Sequence, residues 1–281
     1  MKMVFYTPSC GVEDGFGAAS FGFAGMEDEK AKNKKVVPVE LDGVCVCGTY
    51  EECLNNIPEG NFKAVVVLLG NGGNENKFVR ELSSKVNAPI VGGAGAINPV
   101  TGEKGLITGR NKAALFFIND DRYEIEVVSK NIHHNVLGKH TLSFSGRWLD
   151  LIDGVCAKEW LKNEKEKLGL SQNDFEHLTF SDEQGINAHL SLVEGRIFSG
   201  RDLCETMYLR YIPHNEVQKE IQEFYNDKDA VIFGCAGLKG ILDKGLECDG
   251  TGLFMFGEVC TVNGYSDFGN LMLSKLRIVR K

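Results

Sequence analysis

The order of apolar and amphipathic segments between residues 65 and 91 constrains the fold more than any other feature of this sequence. Val65–Leu69 is continuously apolar, which is typical of a strand buried on both faces. Asn74–Val86 repeats apolar residues at helical spacing, and Pro89–Val91 begins a second short apolar strand. A strand, a helix and a strand at this spacing predict a parallel βαβ unit.

Strand patterns dominate the rest of the chain. Val36–Tyr50 alternates in polarity, and we expect a hairpin that turns at Asp42–Gly43. Lys104–Val128 predicts an antiparallel meander with a turn at Asp120–Asp121. Gly252–Val259 is expected to form one buried strand.

Two further helices are predicted at Ala157–Leu168 and Asn215–Tyr225. The order of strands and helices then occurs twice along the chain. We therefore expect a mixed α/β (α+β) fold with two similar halves, residues 1–130 and 131–281. Each half would contain a mixed sheet flanked by helices.

Composition excludes several classes of protein. The 281 residues carry a formal net charge of −8, so they offer no general attraction to nucleic-acid phosphates. No apolar run approaches the length of about 20 residues that spans a bilayer. The first residues show no signal-peptide pattern, so we expect a soluble, cytoplasmic protein.

The nine cysteines are an odd number, and in a chain without an export signal we expect free thiols. Cys45, Cys47 and Cys53 lie close together in the sequence, but no second C-x-x-C pair accompanies them. A structural zinc site is therefore poorly supported, and small buried hydrophobic side chains explain these cysteines better.

Motifs of common catalytic and cofactor sites are absent from the sequence. Gly70–Glu75 begins like a dinucleotide fingerprint, but Glu75 stands at the last glycine position, where a carboxylate would repel a pyrophosphate. No G-x-S-x-G or H-E-x-x-H motif occurs. We expect no metal and no phosphate chemistry.

The last fifty residues carry the most informative polar groups. Cys235 ends one apolar strand, Glu258 follows Gly257 in another, and Asn270 precedes the last strand. A thiol, a carboxylate and an amide without a complete acid–base triad favour a recognition site, in which Glu258 would accept hydrogen bonds from a ligand ammonium.

These segments resemble the C-terminal signature of the FIST domain family. The resemblance rests on Cys235–Gly237, Gly252–Val259 and Phe268–Asn270, and upstream Pro89–Ile97 is similar to a turn in the N-terminal half of the family. It implies a non-catalytic sensory module that binds a small, amino acid-like ligand, and this chain would act either alone or through a separate signalling protein. The ligand-binding residues it implies are Cys235, Phe256, Gly257, Glu258 and Asn270.

Departures from the family pattern leave the ligand open. Leu238–Lys239 replaces the arginine expected after C-A-G, Phe256 replaces a tyrosine, and Gly269 replaces a histidine. Three alternatives remain: a thiol-dependent enzyme with Cys235 as nucleophile, a haem-binding sensor, since some relatives use haem, and an interaction protein that binds no ligand.

Overall fold

The computed structural model describes residues 2–6, 20–23, 39–70, 73–95, 111–172, 174–227, 229–239, 251–255 and 257–281. These residues form a mixed α/β protein that contains three β-sheets. The strands are β1 (Lys2–Tyr6), β2 (Ser20–Phe23), β3 (Val39–Thr49), β4 (Ala64–Gly70), β5 (Ile90–Gly95), β6 (Lys112–Ile118), β7 (Tyr123–Asn131), β8 (Asn135–Ser145), β9 (Trp148–Ile152), β10 (Val155–Cys156), β11 (Leu178–Ser181), β12 (Asn187–Ala188), β13 (Leu190–Val193), β14 (Arg196–Ser199), β15 (Thr206–Tyr211), β16 (Ala230–Cys235), β17 (Thr251–Met255), β18 (Glu258–Val262), β19 (Tyr265–Gly269) and β20 (Met272–Arg280). The helices are α1 (Tyr50–Asn55), α2 (Glu75–Lys85), α3 (Ala157–Lys167), α4 (His214–Tyr225) and α5 (Ala236–Lys239).

The first sheet has the order β19-β18-β5-β4-β6-β3-β1-β2, and the second has the order β17-β16-β20-β7. Within the first sheet, β4 and β5 are parallel and α2 connects them, so the predicted βαβ unit is confirmed. Strands from both sides of residue 130 share each of these sheets, because β18 pairs with β5 and β7 pairs with β20.

The two sheets pack face to face, with helices on their outer faces. Val66 and Phe116 of the first sheet belong to one apolar cluster with Phe233 and Leu276 of the second. The alternate side chains of β4 face α1 and α2 instead. Helix α4 packs on the outer face of the second sheet. This helix–sheet–sheet–helix order explains why β4 is apolar on both faces.

The third sheet is built between residues 135 and 211, in the order β12-β11-β15-β8-β9-β14-β13. Helix α3 packs against it through Leu161. A buried ionic network joins this part to the first sheet. Arg201, which has no exposed surface, contacts Asp267 at 2.7 Å and Asp182 at 3.1 Å, and Arg80 of α2 contacts Asp267 at 2.8 Å.

The predicted hairpin at Asp42–Gly43 is wrong, because β3 runs without a turn from Val39 to Thr49. Gly43 is needed for close approach to the neighbouring strand. A side chain there would overlap the carbonyl oxygen of Phe117 and the ring of Phe116. Glycine therefore marks strand contact at this position, not a turn.

The predicted meander is also wrong where it can be compared. β6 pairs with β3 and β4, whereas β7 pairs with β20 in the second sheet. The turn at Asp120–Asp121 therefore carries the chain from one sheet to the other. Asp120 holds this turn by accepting hydrogen bonds from the Asp42 backbone at 2.9 Å and from the Arg122 backbone at 3.0 Å. Residues 104–110 of the prediction lie outside the described residues.

The helices predicted at 157–168 and 215–225 are confirmed as α3 and α4 to within one residue at each end. The single strand expected for Gly252–Val259 is wrong, because the segment forms β17 and β18 in different sheets.

Candidate functional site

Cys235 lies at the carboxyl end of β16, the strand between β17 and β20 in the second sheet. The strand is buried along its whole length, and Cys235 is only 4% exposed. Gly237, two residues later, has no side chain between the thiol and the imidazole of His189. A Cβ at Gly237 would lie 3.6 Å from the Cys235 Sγ and 4.0 Å from the His189 Cε1.

Glu258 is placed at the seam between the two sheets because the chain changes sheet just before it. Gly257 adopts a φ of +126°, and the Phe268 ring occupies the space that a side chain at Gly257 would need. The Gly257 carbonyl accepts a hydrogen bond from the Ala94 backbone at 2.9 Å. Gly257 therefore acts through its backbone, and glycine is the residue that tolerates this conformation.

The Glu258 carboxyl is fully buried. Its Oε2 accepts a hydrogen bond from the Met272 backbone N–H at 3.2 Å. Its Oε1 is buried and has no hydrogen-bond partner. Because buried polar atoms are nearly always hydrogen-bonded in folded proteins, this oxygen needs an explanation.

Cys235 and Glu258 interact with each other in this buried environment. Burial raises the pKa of the Glu258 carboxyl well above its ordinary value. Burial raises the pKa of the Cys235 thiol well above its ordinary value too, and the neighbouring Glu258 raises it further. Burial therefore disfavours the charged form of each group, and Cys235 is a neutral thiol at neutral pH.

Asn270 makes its hydrogen bonds to the third sheet and not to Cys235 or Glu258. Its Oδ1 accepts a hydrogen bond from the His189 backbone N–H at 3.3 Å. Its own backbone N–H donates to the Asn187 carbonyl at 2.9 Å. The Asn270 side chain lies against Gly200. A Cβ at Gly200 would lie only 2.5 Å from the Asn270 Oδ1, so glycine leaves the room that this side chain needs. Asn270 thus positions the segment that carries His189.

His189 belongs to the site, although no sequence motif distinguishes it from the other histidines. Among the six histidines, all within the described residues, it has a buried ring nitrogen, Nε2, that lacks a hydrogen-bond partner. Burial, assisted by the nearby charge of Lys165, lowers the pKa of His189 to about 4, so the ring is neutral at pH 7. His189 comes close to Gly237 only through the packing of the third sheet, which no sequence motif indicates.

Phe256, the remaining predicted site residue, lies outside the described residues, and so does Ile97 of the upstream turn. The described part of the chain contains no group of three or more His, Cys, Asp or Glu side chains able to hold a metal ion. None of its helices is long and apolar enough to cross a membrane.

The chain matches no protein-family model, and no curated protein is significantly similar to it.

Proposed function

We propose that this chain is a non-catalytic sensory protein of the FIST type, which binds a small, amino acid-like ligand and passes the signal to a separate partner protein. One observation carries the proposal. Two buried polar atoms, Glu258 Oε1 and His189 Nε2, lack hydrogen-bond partners. Glu258 interacts with the Cys235 thiol, and His189 lies beside Gly237.

Burial of these two unpartnered atoms has an energetic consequence. An unsatisfied buried polar group destabilises a fold by about 1–3 kcal/mol. A ligand that supplies the missing partners recovers this free energy when it binds. A ligand ammonium beside Glu258 would also favour the ionised carboxylate, so binding would release the proton that the buried carboxyl holds.

The electrostatics argue for binding instead of thiol catalysis. A nucleophilic cysteine needs a lowered pKa, usually from a nearby cation or a helix N-terminus of sufficient length. Burial and Glu258 have the opposite effect on Cys235. His189, with a pKa lowered to about 4, is a weak base, and its unpartnered Nε2 makes no hydrogen bond to the thiol.

The two-halves organisation forms part of the proposal, and the strand order supports it. β5-β4-β6-β3 in the first sheet corresponds to β17-β16-β20-β7 in the second. In both sets the first pair is parallel and the other two pairs are antiparallel. In both sets a helix also follows the second strand of the set, α2 after β4 and α5 after β16. By this strand order the second set begins with β7, so the repeat divides between β6 and β7, a few residues before the boundary predicted between residues 1–130 and 131–281. The third sheet is then inserted into the second half, between β7 and β16.

Thermal-shift measurements with free amino acids and simple amines at millimolar concentration test the proposal. A ligand that binds only the folded protein at about ten times its Kd should raise the Tm by about 3 °C or more. The shift should increase as the pH rises towards the raised pKa of Glu258, because binding of an ammonium requires this carboxyl to lose its proton.

The matched variants are Glu258→Gln, which should abolish the shift, and Glu205→Gln, which changes an exposed carboxylate and should preserve it. If no amino acid or amine shifts the Tm of the wild-type protein, or if Glu258→Gln responds like the wild type, the proposal is wrong.

The haem alternative has one residue in its favour, since the unpartnered Nε2 of His189 is the atom that an axial ligand would use. Haem would then supply the sensing chemistry, and His189 would hold it. Haem titration of the purified protein distinguishes this case: a Soret band that His189→Ala removes supports it, and no Soret band excludes it.

A further inference from the structure

The two thiols of Cys45 and Cys47 lie together on one face of β3, outside the site described above. Their Sγ atoms are 3.4 Å apart and share a weak hydrogen bond. Cys47 is exposed and Cys45 is half-buried, so reagents in solution reach the pair from the Cys47 side. The sequence pattern alone suggested only small hydrophobic side chains here.

The geometry of an extended strand disfavours a disulfide between these residues. Positions i and i+2 of a strand are separated by two rises of about 3.3 Å each, near the upper limit of the Cα separations of about 4.4–6.8 Å in disulfides. The observed sulfur separation is also wider than the S–S bond of about 2.0 Å.

A single bridging atom fits the pair better than a direct bond does. Bonds of about 2.3 Å from one atom to two thiolates bring the sulfurs to about 3.3–3.8 Å at bond angles between about 90° and 110°. The observed 3.4 Å falls in this range. A site with two protein ligands suits an ion that needs no further side chains, and the described residues offer no cluster of three ligating groups.

We propose that Cys45 and Cys47 form a dithiol site for thiophilic metalloid ions of the arsenic(III) class. The reaction with an arsenoxide is balanced without an oxidant: R–As=O and two S–H groups give R–As(S)₂ and water. Two As–S bonds form, the As=O bond breaks, both thiol protons leave in the water, and arsenic keeps its oxidation state. Neutral thiols suffice, which agrees with a pKa of about 12 for Cys45 that burial and the hydrogen bond to Cys47 produce.

Cys53 is close in the sequence but does not complete the site. Its thiol is buried and donates a hydrogen bond to the Ala113 carbonyl at 3.5 Å. It lies in the cluster between α1 and the first sheet. The site is thus a pair, with Cys47 as its accessible member.

Phenylarsine oxide is the probe that tests the proposal on the reduced protein. One equivalent should give one adduct by intact mass, with the loss of two titratable thiols. The adduct should survive an excess of 2-mercaptoethanol and be released by 2,3-dimercaptopropanol, because only a two-thiol chelate resists a monothiol.

Cys47→Ser should eliminate the resistant adduct, and the exposed position of Cys47 means that this change should leave the Tm unaltered. Cys156→Ser, which changes an exposed cysteine of β10, should form the adduct like the wild type. A wild-type protein without a monothiol-resistant adduct, or a Cys47→Ser protein that keeps one, would overturn the proposal.

Discussion

The carboxyl of Glu258 lies against the thiol of Cys235 at the seam of two sheets, and burial disfavours the charged form of both groups by raising both pKa values. The contact exists because the chain leaves the second sheet after Met255 and enters the first sheet at Glu258. Cys235 reaches the same place from the end of β16. An acid and a thiol that cannot readily ionise suit ligand recognition better than nucleophilic chemistry.

Glu258→Gln should have a larger free energy of unfolding than the wild type, and the difference should grow as the pH rises. The folded protein retains a proton on Glu258 that the unfolded chain loses above about pH 4.3, so wild-type stability falls as pH rises. The slope from this group is about 1.4 kcal/mol per pH unit until the folded pKa is reached. Urea unfolding of both proteins between pH 5 and 8 measures the difference, and a difference that does not change with pH would contradict the prediction.

His133 should make the protein less stable in acid. Burial lowers its pKa to about 3, whereas an unfolded histidine titrates near 6.5. Between these values the unfolded chain binds the extra proton, so stability falls as pH decreases, by about 1.4 kcal/mol per unit.

His133→Gln tests this effect by urea unfolding between pH 4 and 7. The variant should be less stable at pH 7, because it loses hydrogen bonds to the Glu176 carbonyl at 2.7 Å and from the Asn187 amide at 3.1 Å. Its stability should also depend less on pH than that of the wild type. The exposed His134→Gln is the control, and an unchanged slope in His133→Gln would show that another group is responsible.

Arg201 should be among the most sensitive charged residues of the fold. Arg201→Met removes the partner of Asp182 and one of the partners of buried Asp267, and uncompensated buried charges destabilise by about 3–5 kcal/mol. Arg196→Met breaks an exposed pair with Asp150 and should change stability by about 0–1 kcal/mol. Urea unfolding measures both free energies. Equal values for the two variants would show that burial of the ion pair does not decide its contribution to stability.

Gly43→Ala should destabilise the first sheet by several times more than Gly154→Ala. At Gly43 the added methyl group overlaps backbone of β6, which cannot move without breaking strand pairing. At Gly154 the methyl group meets open space, and only the φ of +80° opposes it, at about 1–2 kcal/mol. Thermal unfolding of both variants measures this order, and a reversed order would mean that β3 and β6 separate easily.

Cys235 should react with iodoacetamide far more slowly than Cys156. Burial and Glu258 suppress the Cys235 thiolate, whereas Cys156 is exposed. Peptide mapping after timed labelling gives both rates in one sample, with Cys156 as the internal reference. Labelling of Cys235 at the rate of Cys156 or faster would support the thiol-enzyme alternative.

The sequence predicted the elements whose patterns are local. The apolar run of β4, the amphipathic α2 and the helices α3 and α4 were all foreseeable, because burial on a strand or on one helix face repeats every two or about 3.6 residues. The motif residues also indicated that Cys235 and Glu258 belong together, and the structure brings these two side chains into contact.

Pairing between distant segments was decided only by the tertiary structure. Asp42–Gly43 and Asp120–Asp121 have similar turn-forming composition, yet one lies within a strand and the other joins two sheets. The contacts that decide this involve Phe117 and Asp42, which local periodicity does not report. His189 shows the same limit, since its place beside Gly237 depends on how the third sheet packs. Sequence patterns thus determined which residues are buried, whereas long-range packing determined which buried residues meet.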